Sequence, residues 1–459
     1  MNASAKWLRR ALLGSVALGA MATGAQADDL TALKAQLEAL QSRVNQLEST
    51  GPAASAGAPE GASYISFRRG SDLGWDMSNL IPADERLMDD RGFTVAITPT
   101  ADLPAPIMEV AISGYVKADF LYDTHNFLGD AASPSAVVLG GGDDENVRLH
   151  ARQSRFRITS KSDTAVGQIR TLIETDFFGA GNTLRLRHAW GEWDMTPNTT
   201  FGAGQFWTNF YSQAGQINTI DFGALLGGSD GISRQSQFRI THRTGPATIS
   251  VALEDPGGNS AVTFAGGTSG ATDHDLPDLT ARAAFSLGSA NVQVSGVVLE
   301  NHIDANGVGA ALGVGNDSDI GFGLAAGVDI PFGDMITLYG QAAYSDGATR
   351  YLSSGGTAGY NAVIGPTGNL RSTESYGWTV GASFKMSEAS TFNAAYSSFR
   401  VTDNRPAGFD RGADKIHVNY LWQPVSKLRM GVEGIWANRE ATGGDQDNIR
   451  IQFATWFFF

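Results

Sequence analysis

The sequence predicts an all-β fold, a sixteen-stranded antiparallel transmembrane barrel preceded by a short α-helical coiled coil. Three observations predict the barrel. From residue 112 to the carboxyl terminus, apolar and polar residues alternate within short segments; there are sixteen such segments; and their connections alternate between long polar loops and short turns. An even number of strands with long loops at one end and short turns at the other is typical of barrels that cross an outer membrane.

The first segment shows the alternation clearly. In ISGYVKADFLYD (112–123), Val116, Ala118 and Phe120 lie on one face, and Lys117 and Asp119 lie on the other. A half-exposed strand of a soluble sheet alternates in the same way, so the number and spacing of the segments decide between the two. Because lipid offers no partner to an open edge, the sheet must close on itself. We expect strands to begin near residues 112, 148, 167, 184, 199, 234, 247, 278, 291, 319, 335, 374, 391, 414, 427 and 447.

The last segment, IQFATWFFF, ends the chain in aromatic residues. As a final strand it would turn Arg450 and Gln452 inward, and toward lipid or the membrane rim it would turn Ile449, Ile451, Phe453, Thr455, Phe457 and Phe459. Phe459 also resembles the terminal phenylalanine signal that the outer-membrane assembly machinery reads. The alternative is a frayed hydrophobic tail, which would promote aggregation if it were left unpaired.

The amino terminus has the pattern of an export signal. Three basic residues precede an apolar stretch at 11–22, and Ala-Gln-Ala follows at 25–27. This predicts a signal peptide over residues 1–27; a short membrane anchor is disfavoured by the brief apolar core and by the acidic pair after it. Removal of the signal would change the formal net charge from -14 to -17, since it carries three positive charges. An acidic exported chain argues against a nucleic-acid partner, and the absence of cysteine excludes a disulfide scaffold.

Residues 28–50 predict a coiled-coil oligomerisation helix. Its apolar residues recur at spacings of three and four, the a and d positions of a heptad repeat: Leu30, Leu33, Leu37, Leu40, Val44 and Leu47. A coil this short needs partner chains, expected to be copies of itself, because short isolated helices rarely persist in water. A lone amphipathic helix packed on its own domain is disfavoured by the flexible linker that follows. Residues 51–111 form a linker or periplasmic segment without a clear pattern, and the barrel is expected over 112–459.

The face opposite the lipid carries many basic residues in the first eight strands. Arginine on the lipid face at the bilayer midplane would cost about 2–4 kcal/mol, so these side chains are expected to point into the lumen. Guanidinium groups grip carboxylates through paired hydrogen bonds, which favours a path for anions. The predicted substrate path is Lys117, Arg155, Arg157, Arg170, Arg185, Arg187, Arg239, Arg243 and Arg282. The alternative is a balanced wall in which neighbouring acids neutralise these residues, namely Asp119, Asp123, Glu174, Asp176 and Glu254.

A nine-residue motif that occurs twice supports the assignment of these arginines to the inner face. RQSRFRITS (152–160) and RQSQFRITH (234–242) match at seven of nine positions, and both follow a long loop. Both would present an arginine inward after an outward phenylalanine, at Arg157 and Arg239.

The connection at 207–233 is long but rich in apolar residues. A merely solvated loop would not carry so much apolar surface, so we expect it to fold inward and narrow the pore. Asp221 and Asp230 would then be available to face the basic wall. An outer cap or a contact between protomers is the alternative.

The chain resembles the DcaP-like outer-membrane porins. The resemblance rests on the heptad coil and on GYVKADFLYD, RQSRFRITS, IRTLIETDFFG, LRLRHAWGEW, FGAGQFWTNF and RQSQFRITH, which lie in strands one to six. It implies a homotrimer with a periplasmic coiled coil that takes up dicarboxylates and related small anions. By the same resemblance, the first positions of the anion path are Arg155, Arg157, Arg185, Arg187 and Arg239.

The sequence therefore predicts a passive, anion-preferring porin in the outer membrane of a Gram-negative cell, with both termini in the periplasm. Its expected partners are small anionic solutes, outer-membrane lipid, the assembly machinery and copies of itself, and it needs no cofactor or metal. A general or cation-preferring porin, or a structural tether that uses the coil, is the alternative. An enzyme is disfavoured, because no Ser-His-acid grouping can be placed around His188, which we place near a membrane rim.

Overall fold

The computed structural model describes residues 63–77, 91–99, 107–138, 144–223, 225–229, 234–256, 261–264, 267–269, 275–303, 315–352, 360–365, 367–405 and 410–459. The predicted signal peptide (1–27), the coiled-coil helix (28–50) and most of the segment 51–111 lie outside these residues. Nearly all described residues belong to one compact unit, Tyr64–Thr98 with Ala105–Phe459. The second unit, Met1–Ser63 with Pro99–Pro104, lies almost wholly outside the described part.

Sixteen antiparallel strands form a closed barrel, as the alternation predicts. Each pairs with its neighbours in the chain, and the last pairs with the first, with Phe453 opposite Phe120. Every strand begins within four residues of its expected start. Numbered as barrel strands 1 to 16, with the second in two pieces, they are Met108–Asp123, Asn146–His150 with Arg155–Thr164, Gly167–Asp176, Arg185–Thr196, Thr199–Trp207, Arg234–Thr244, Ala247–Glu254, Asp278–Leu287, Ala290–Ile303, Asp317–Phe332, Ile336–Asp346, Glu374–Ser387, Ser390–Asp403, Gly412–Val425, Leu428–Ala441 and Gly444–Phe458.

Shorter elements accompany the barrel. A four-stranded sheet lies in the long loops and consists of Ala261–Phe264, Gly267–Ser269, Tyr360–Ile364 and Leu370–Ser372. The described residues include three 3-10 helices, at Pro134–Ala136, Ala180–Asn182 and Thr349–Tyr351. Among the described residues, no helix is long and apolar enough to cross a membrane.

The two faces of the barrel wall differ as the sequence predicts. On barrel strand 16, Ile451 and Phe453 are 43% and 46% exposed, whereas Arg450 and Gln452 between and beside them are at most 1% exposed. An apolar outer face is what acyl chains require, and polar residues alternate with it on the inner face. The terminal phenylalanine is also paired rather than frayed, because Phe459 and Gly114 exchange two backbone hydrogen bonds, of 3.1 and 3.2 Å.

Two strands before the barrel explain part of the segment that the sequence left without a pattern. Strands Ser63–Arg69 and Phe93–Pro99 pair with each other. The second also pairs with the start of barrel strand 1, with Phe93 opposite Ile112. This pairing occupies the edge that barrel strand 16 leaves beyond Phe458, so barrel strand 1 begins at Met108 rather than at the expected residue 112. Gly92 allows the approach, because a β-carbon there would lie 2.1 Å from the carbonyl oxygen of Ile112.

Candidate functional site: the inner wall and the inward loop

The connection between barrel strands 5 and 6 lies inside the barrel. Its described residues are 208–223 and 225–229, which we call the inward loop. Its backbone groups bond to inner-face side chains around much of the circumference: Ser295 to Phe210, Gln341 to Ala214, Asn419 to Asn218, Thr379 to Leu226, and Ile220 to Glu433, at 2.7 to 3.0 Å. A loop that contacts strands on so many sides can lie only within the lumen. Its apolar residues account for its burial there, since Phe210 and Ile220 are fully buried.

Four predicted path residues surround two acids on barrel strand 3. Glu174 accepts hydrogen bonds from Nε of Arg157 and from Nε of Arg187, both at 2.7 Å, and Nε of Arg155 lies 3.5 Å away. We call these residues, with Arg185 and Asp176, the arginine cluster. Counted over these six residues alone, four guanidinium groups and two carboxylates give the cluster a formal charge of +2.

Asp176 completes the arginine cluster. It accepts a two-point hydrogen bond from Arg185, at 3.0 and 2.6 Å, and a further bond from Arg187 at 3.2 Å. The two carboxylates are fully buried, as is Arg187, whereas the side chain of Arg185 is 36% exposed. Arg185 is therefore the member of the cluster that water and solutes reach most readily.

A β-bulge on barrel strand 4 concentrates this charge. Glu174 lies opposite His188, but the next residue, Thr175, lies opposite Leu186, so Arg187 is an extra residue in the ladder. A bulge of this kind changes the direction of side chains locally, and Arg187 and His188 both become fully buried on the inner side. His188, expected near a membrane rim, is the fourth residue of barrel strand 4 and points inward rather than toward lipid. Its ring packs on Phe206, 4.5 Å between centroids.

An aromatic pair lies beside the arginine cluster. Phe222 of the inward loop stacks on Phe178, which follows barrel strand 3, with 4.4 Å between ring centroids. The guanidinium carbons of Arg185 and Arg187 lie 5.6 and 5.4 Å from the centroid of Phe222. These distances are typical of cation–π contacts, which leave the hydrogen-bonding edge of a guanidinium group available. The inward loop thus meets the basic wall through an aromatic residue.

The remaining predicted path residues lie on the inner face but apart from the arginine cluster. Lys117 is fully buried, pairs with Asp119 at 2.9 Å and donates to the carbonyl of Ile220 at 2.7 Å. Arg170 binds Asp194 through two nitrogens, at 2.6 and 2.5 Å, and Glu192 at 3.2 Å.

Three path residues belong to barrel strands 6 and 8. Arg239 is buried and donates to the carbonyl of Trp207 at 2.6 Å. Arg243 donates to Thr200 at 3.3 Å, and Arg282 is buried on barrel strand 8. The structure therefore gathers four of the nine path residues and distributes the other five along the wall.

Of the two loop acids expected to face the basic wall, the structure describes Asp221. Asp221 is 3% exposed and lies 3.4 Å from Arg450 of barrel strand 16, which the predicted path omits. It also accepts hydrogen bonds from the backbone of Ala132. Asp230 lies outside the described residues. The alternative of a partly balanced wall is closer to the structure, since Asp119, Asp123, Glu174 and Asp176 all pair with basic side chains. Glu254 instead binds Thr208, Asn209 and Thr280.

Sequence reasoning missed a charged group in the first long loop. Asp130 accepts hydrogen bonds from Arg148 and Arg152, one of them from Arg148 Nη2 at 3.0 Å. Burial raises the pKa of the Asp130 carboxyl, but the hydrogen bonds from the two arginines outweigh burial and hold the pKa below its ordinary value. Arg152 also lies 4.9 Å from the centroid of Phe178. Arg152 belongs to the repeated RQS motif. It lies in a turn, however, and the alternation of a strand cannot show whether a turn residue faces the lumen.

A second buried group holds another long loop to the wall. Arg350 pairs with Asp278 at the start of barrel strand 8, and the hydroxyl of Tyr351 donates to the same carboxylate at 2.6 Å. Burial raises the pKa of Tyr351 well above its ordinary value.

Among the described residues, one group could hold a metal ion: Asp275, Glu300 and His302, with ligand atoms within 4.8 Å of one another. It lies apart from the arginine cluster.

Comparison with protein families matches residues 110–454 to a family described as the porin subfamily. The chain belongs to the porin subfamily. The porin is therefore an outer-membrane protein, and its family and fold point to a channel rather than an enzyme. The short turns mark the periplasmic end of the barrel, where barrel strand 1 begins and barrel strand 16 ends.

Solved structures agree with this fold. The outer membrane channel DcaP of Acinetobacter baumannii is 21% identical, with 77% of this chain and 97% of that chain covered and a TM-score of 0.64. An anion-selective porin from Comamonas acidovorans is 10% identical, with coverage of 77% and 100% and a TM-score of 0.52. OmpT of Vibrio cholerae, in a trimer form, is 10% identical, with coverage of 77% and 99% and a TM-score of 0.50. No curated protein matches the chain.

Proposed function

We propose that this porin gives passive, anion-preferring diffusion to small solutes such as dicarboxylates. The observation that carries the proposal is the arginine cluster, in which four guanidinium groups share two carboxylates. A net positive charge on the wall attracts anions and repels cations, and rings of charged side chains set the selectivity of pores in this way. The solute moves down its own gradient, so transport requires no cofactor.

Burial divides the roles within the cluster. Arg155, Arg157 and Arg187 are at most 5% exposed, so they act on a solute through their field rather than by contact. Charges held away from bulk water interact more strongly than solvated ones, because the effective dielectric constant is lower. Arg185 is the contact residue: its exposed side chain offers donors to a carboxylate that passes Phe222. The likeness to an anion-selective porin is one of fold, and the proposal rests on the cluster.

The inward loop is proposed to form the main constriction. It packs Phe222 against the arginine cluster, so a solute passes the aromatic edge and the positive charge together. This geometry favours the binding of a carboxylate, because the planar guanidinium group of arginine can hydrogen-bond to both carboxylate oxygens. A cation loses hydration without a compensating partner.

Planar-bilayer recording tests the proposal. Reversal potentials under a potassium chloride gradient should show chloride to be more permeant than potassium, and Arg185→Ala should reduce that preference. Arg411→Ala is the matched control, because Arg411 is 49% exposed and pairs with an exposed acid, Asp445. Cation preference in the wild-type channel would reject the proposal in favour of a cation-preferring porin. A protein that folds but does not conduct would favour the tether.

We also propose that the porin is a homotrimer held in part by the coil at 28–50. OmpT, which shares the fold, exists in a trimer form, and a three-heptad helix is stable only with partners. Analytical ultracentrifugation in detergent should give three protomers for the mature chain. Leu37→Asp with Leu40→Asp should weaken the trimer if the coil contributes; a monomeric wild-type protein would refute the assignment.

A further inference from the structure

A short segment before the barrel lies against the inner wall. Residues 70–77 follow strand Ser63–Arg69, and we call them the luminal segment. Leu73 is 4% exposed, and its carbonyl accepts a 2.7 Å hydrogen bond from Nζ of Lys161, on the inner face of barrel strand 2 near the periplasmic turn. The segment therefore enters the barrel from its periplasmic end.

Trp75 is the central contact of the luminal segment. Its indole nitrogen donates to Glu192 on barrel strand 4 at 3.1 Å, and its ring centroid lies 5.5 Å from the guanidinium carbon of Arg170 on barrel strand 3. Arg170 also binds Glu192 and Asp194, so the indole covers the Arg170–Glu192 pair, whereas the side chain of Asp194 stays 28% exposed.

Apolar residues of the wall explain why the segment lies there. Trp75 and Met77 pack against a buried group of inward-facing side chains: Leu172, Trp190, Phe206, Trp207 and Tyr211. Leu172 and Trp190 are at most 3% exposed. In a water-filled lumen they would expose a large apolar surface, which is unfavourable by about 25 cal/mol per Å². Because Tyr211 belongs to the inward loop, the same cluster joins the luminal segment to that loop.

The chain is anchored at the start of the segment and again where the described residues resume at Arg91. On one side, the fully buried hydroxyl of Thr94 donates to the carbonyl of Gly70 at 2.7 Å. On the other, Arg91 is 1% exposed, donates to the carbonyl of Ser426 in a periplasmic turn, and lies 3.3 Å from the centroid of Phe458. Residues 78–90 lie outside the described part of the chain. The contacts of Gly70, Leu73 and Trp75 hold the described segment in position against the barrel wall.

We propose that the luminal segment is a second constriction on the periplasmic side of the inward loop, and that Trp75 is a specificity-determining residue. The segment narrows the path for any solute, and Trp75 covers Arg170 and the carboxylate of Glu192. Without the indole, the Glu192 carboxylate would face the lumen below the arginine cluster and attract cations. The selectivity part of the inference rests on the proposed anion preference, whereas the narrowing does not. Arg170 is thereby removed from the contact path that the sequence predicts.

Two measurements on the full-length porin test the inference. Trp75→Ala should raise single-channel conductance in symmetric potassium chloride and shift the reversal potential toward cations. Phe67→Ala is the matched control, because Phe67 is an aromatic residue of the preceding strand that is 74% exposed; it should change neither quantity. Unchanged conductance in Trp75→Ala would overturn the second constriction. Increased conductance with unchanged selectivity would overturn the role of Trp75 in specificity.

A cysteine scan separates narrowing from misfolding. The chain contains no cysteine, so Trp75→Cys introduces a single reactive thiol. A bulky methanethiosulfonate reagent added to the open Trp75→Cys channel should lower its current, whereas Phe67→Cys should not respond. No change in current on verified labelling of Trp75→Cys would place the residue outside the path. Cation preference in the wild-type channel, together with higher conductance in Trp75→Ala, would reject the proposed function and leave the narrowing intact.

Discussion

Arg187 on barrel strand 4 and Glu174 on barrel strand 3 form an ion pair with no exposed surface on either side chain, with 2.7 Å between Nε and Oε1. The same carboxylate also binds Arg157. A buried charge is costly unless it is paired and hydrogen-bonded. The four arginines of the cluster therefore form a shared network across barrel strands 2 to 4 rather than a ladder of independent cations.

Replacement of Glu174 should separate selectivity from stability. Glu174→Gln removes one of two carboxylates among four guanidinium groups, so anion preference should increase. Loss of one partner of a buried pair costs about 3–5 kcal/mol, so resistance to unfolding by urea should fall. Reversal potentials measure the first effect and heat-modifiable gel mobility in urea the second. Glu388→Gln is the control, since this side chain is 92% exposed. Equal or weaker anion preference in Glu174→Gln would contradict the charge count.

Removal of two buried guanidinium groups should weaken the binding of dianions. Arg155→Ala with Arg157→Ala lowers the formal charge of the cluster from +2 to zero, and a dicarboxylate should then block chloride current less strongly. The measure is the blocking concentration of a short dicarboxylate in planar bilayers, with Arg411→Ala as the surface control. Block of unchanged strength would remove Arg155 and Arg157 from the solute path.

Truncation of Phe222 should widen the main constriction. The ring fills the space between Phe178 and the guanidinium groups of Arg185 and Arg187, so Phe222→Ala should raise conductance and admit larger neutral sugars in a liposome-swelling assay. Phe120→Ala provides the comparison, because Phe120 lies on the outer face and is 40% exposed. If both variants conduct as the wild type does, the aromatic pair does not limit passage.

The barrel was predictable because lipid imposes a rule on every strand. An outward side chain must be apolar and an inward one is free to be polar, so parity alone assigns Phe453 outward and Arg450 inward. Short turns then fix the strand starts, several of which, such as Gly167 and Thr199, match the expectation directly. The inward position of the arginines follows from the same rule.

The partners of these residues were not predictable, because they depend on contacts between distant segments. Parity cannot show the bulge that turns both Arg187 and His188 inward. The loop sequence offers acids for a basic wall, but Asp221 meets Arg450 on barrel strand 16 instead. The sequence of the luminal segment has no periodicity. Its position depends on packing against an apolar cluster on barrel strands 3 to 5, which the segment's own sequence does not reveal. Pairing across a lumen leaves no local pattern in the chain.

Protonation of Asp130 at low pH should weaken the ion pairs that hold the first long loop to Arg148 and Arg152 at the extracellular mouth of the pore. Its folded-state pKa is depressed, so the stability that its ionised form contributes is present above the ordinary aspartate pKa of about 3.9 and is lost as the pH falls through the lower, folded-state value. Protonation would release Arg148 and Arg152 from this carboxylate, leaving more uncompensated positive charge at the mouth. Anion preference should therefore rise below the ordinary aspartate range, and Asp130→Asn should show the higher preference already at pH 7. Other carboxylates also titrate in acid, so the informative quantity is the difference between wild type and Asp130→Asn in reversal potential at each pH. That difference should shrink as the pH falls; a constant difference would show that another group is responsible.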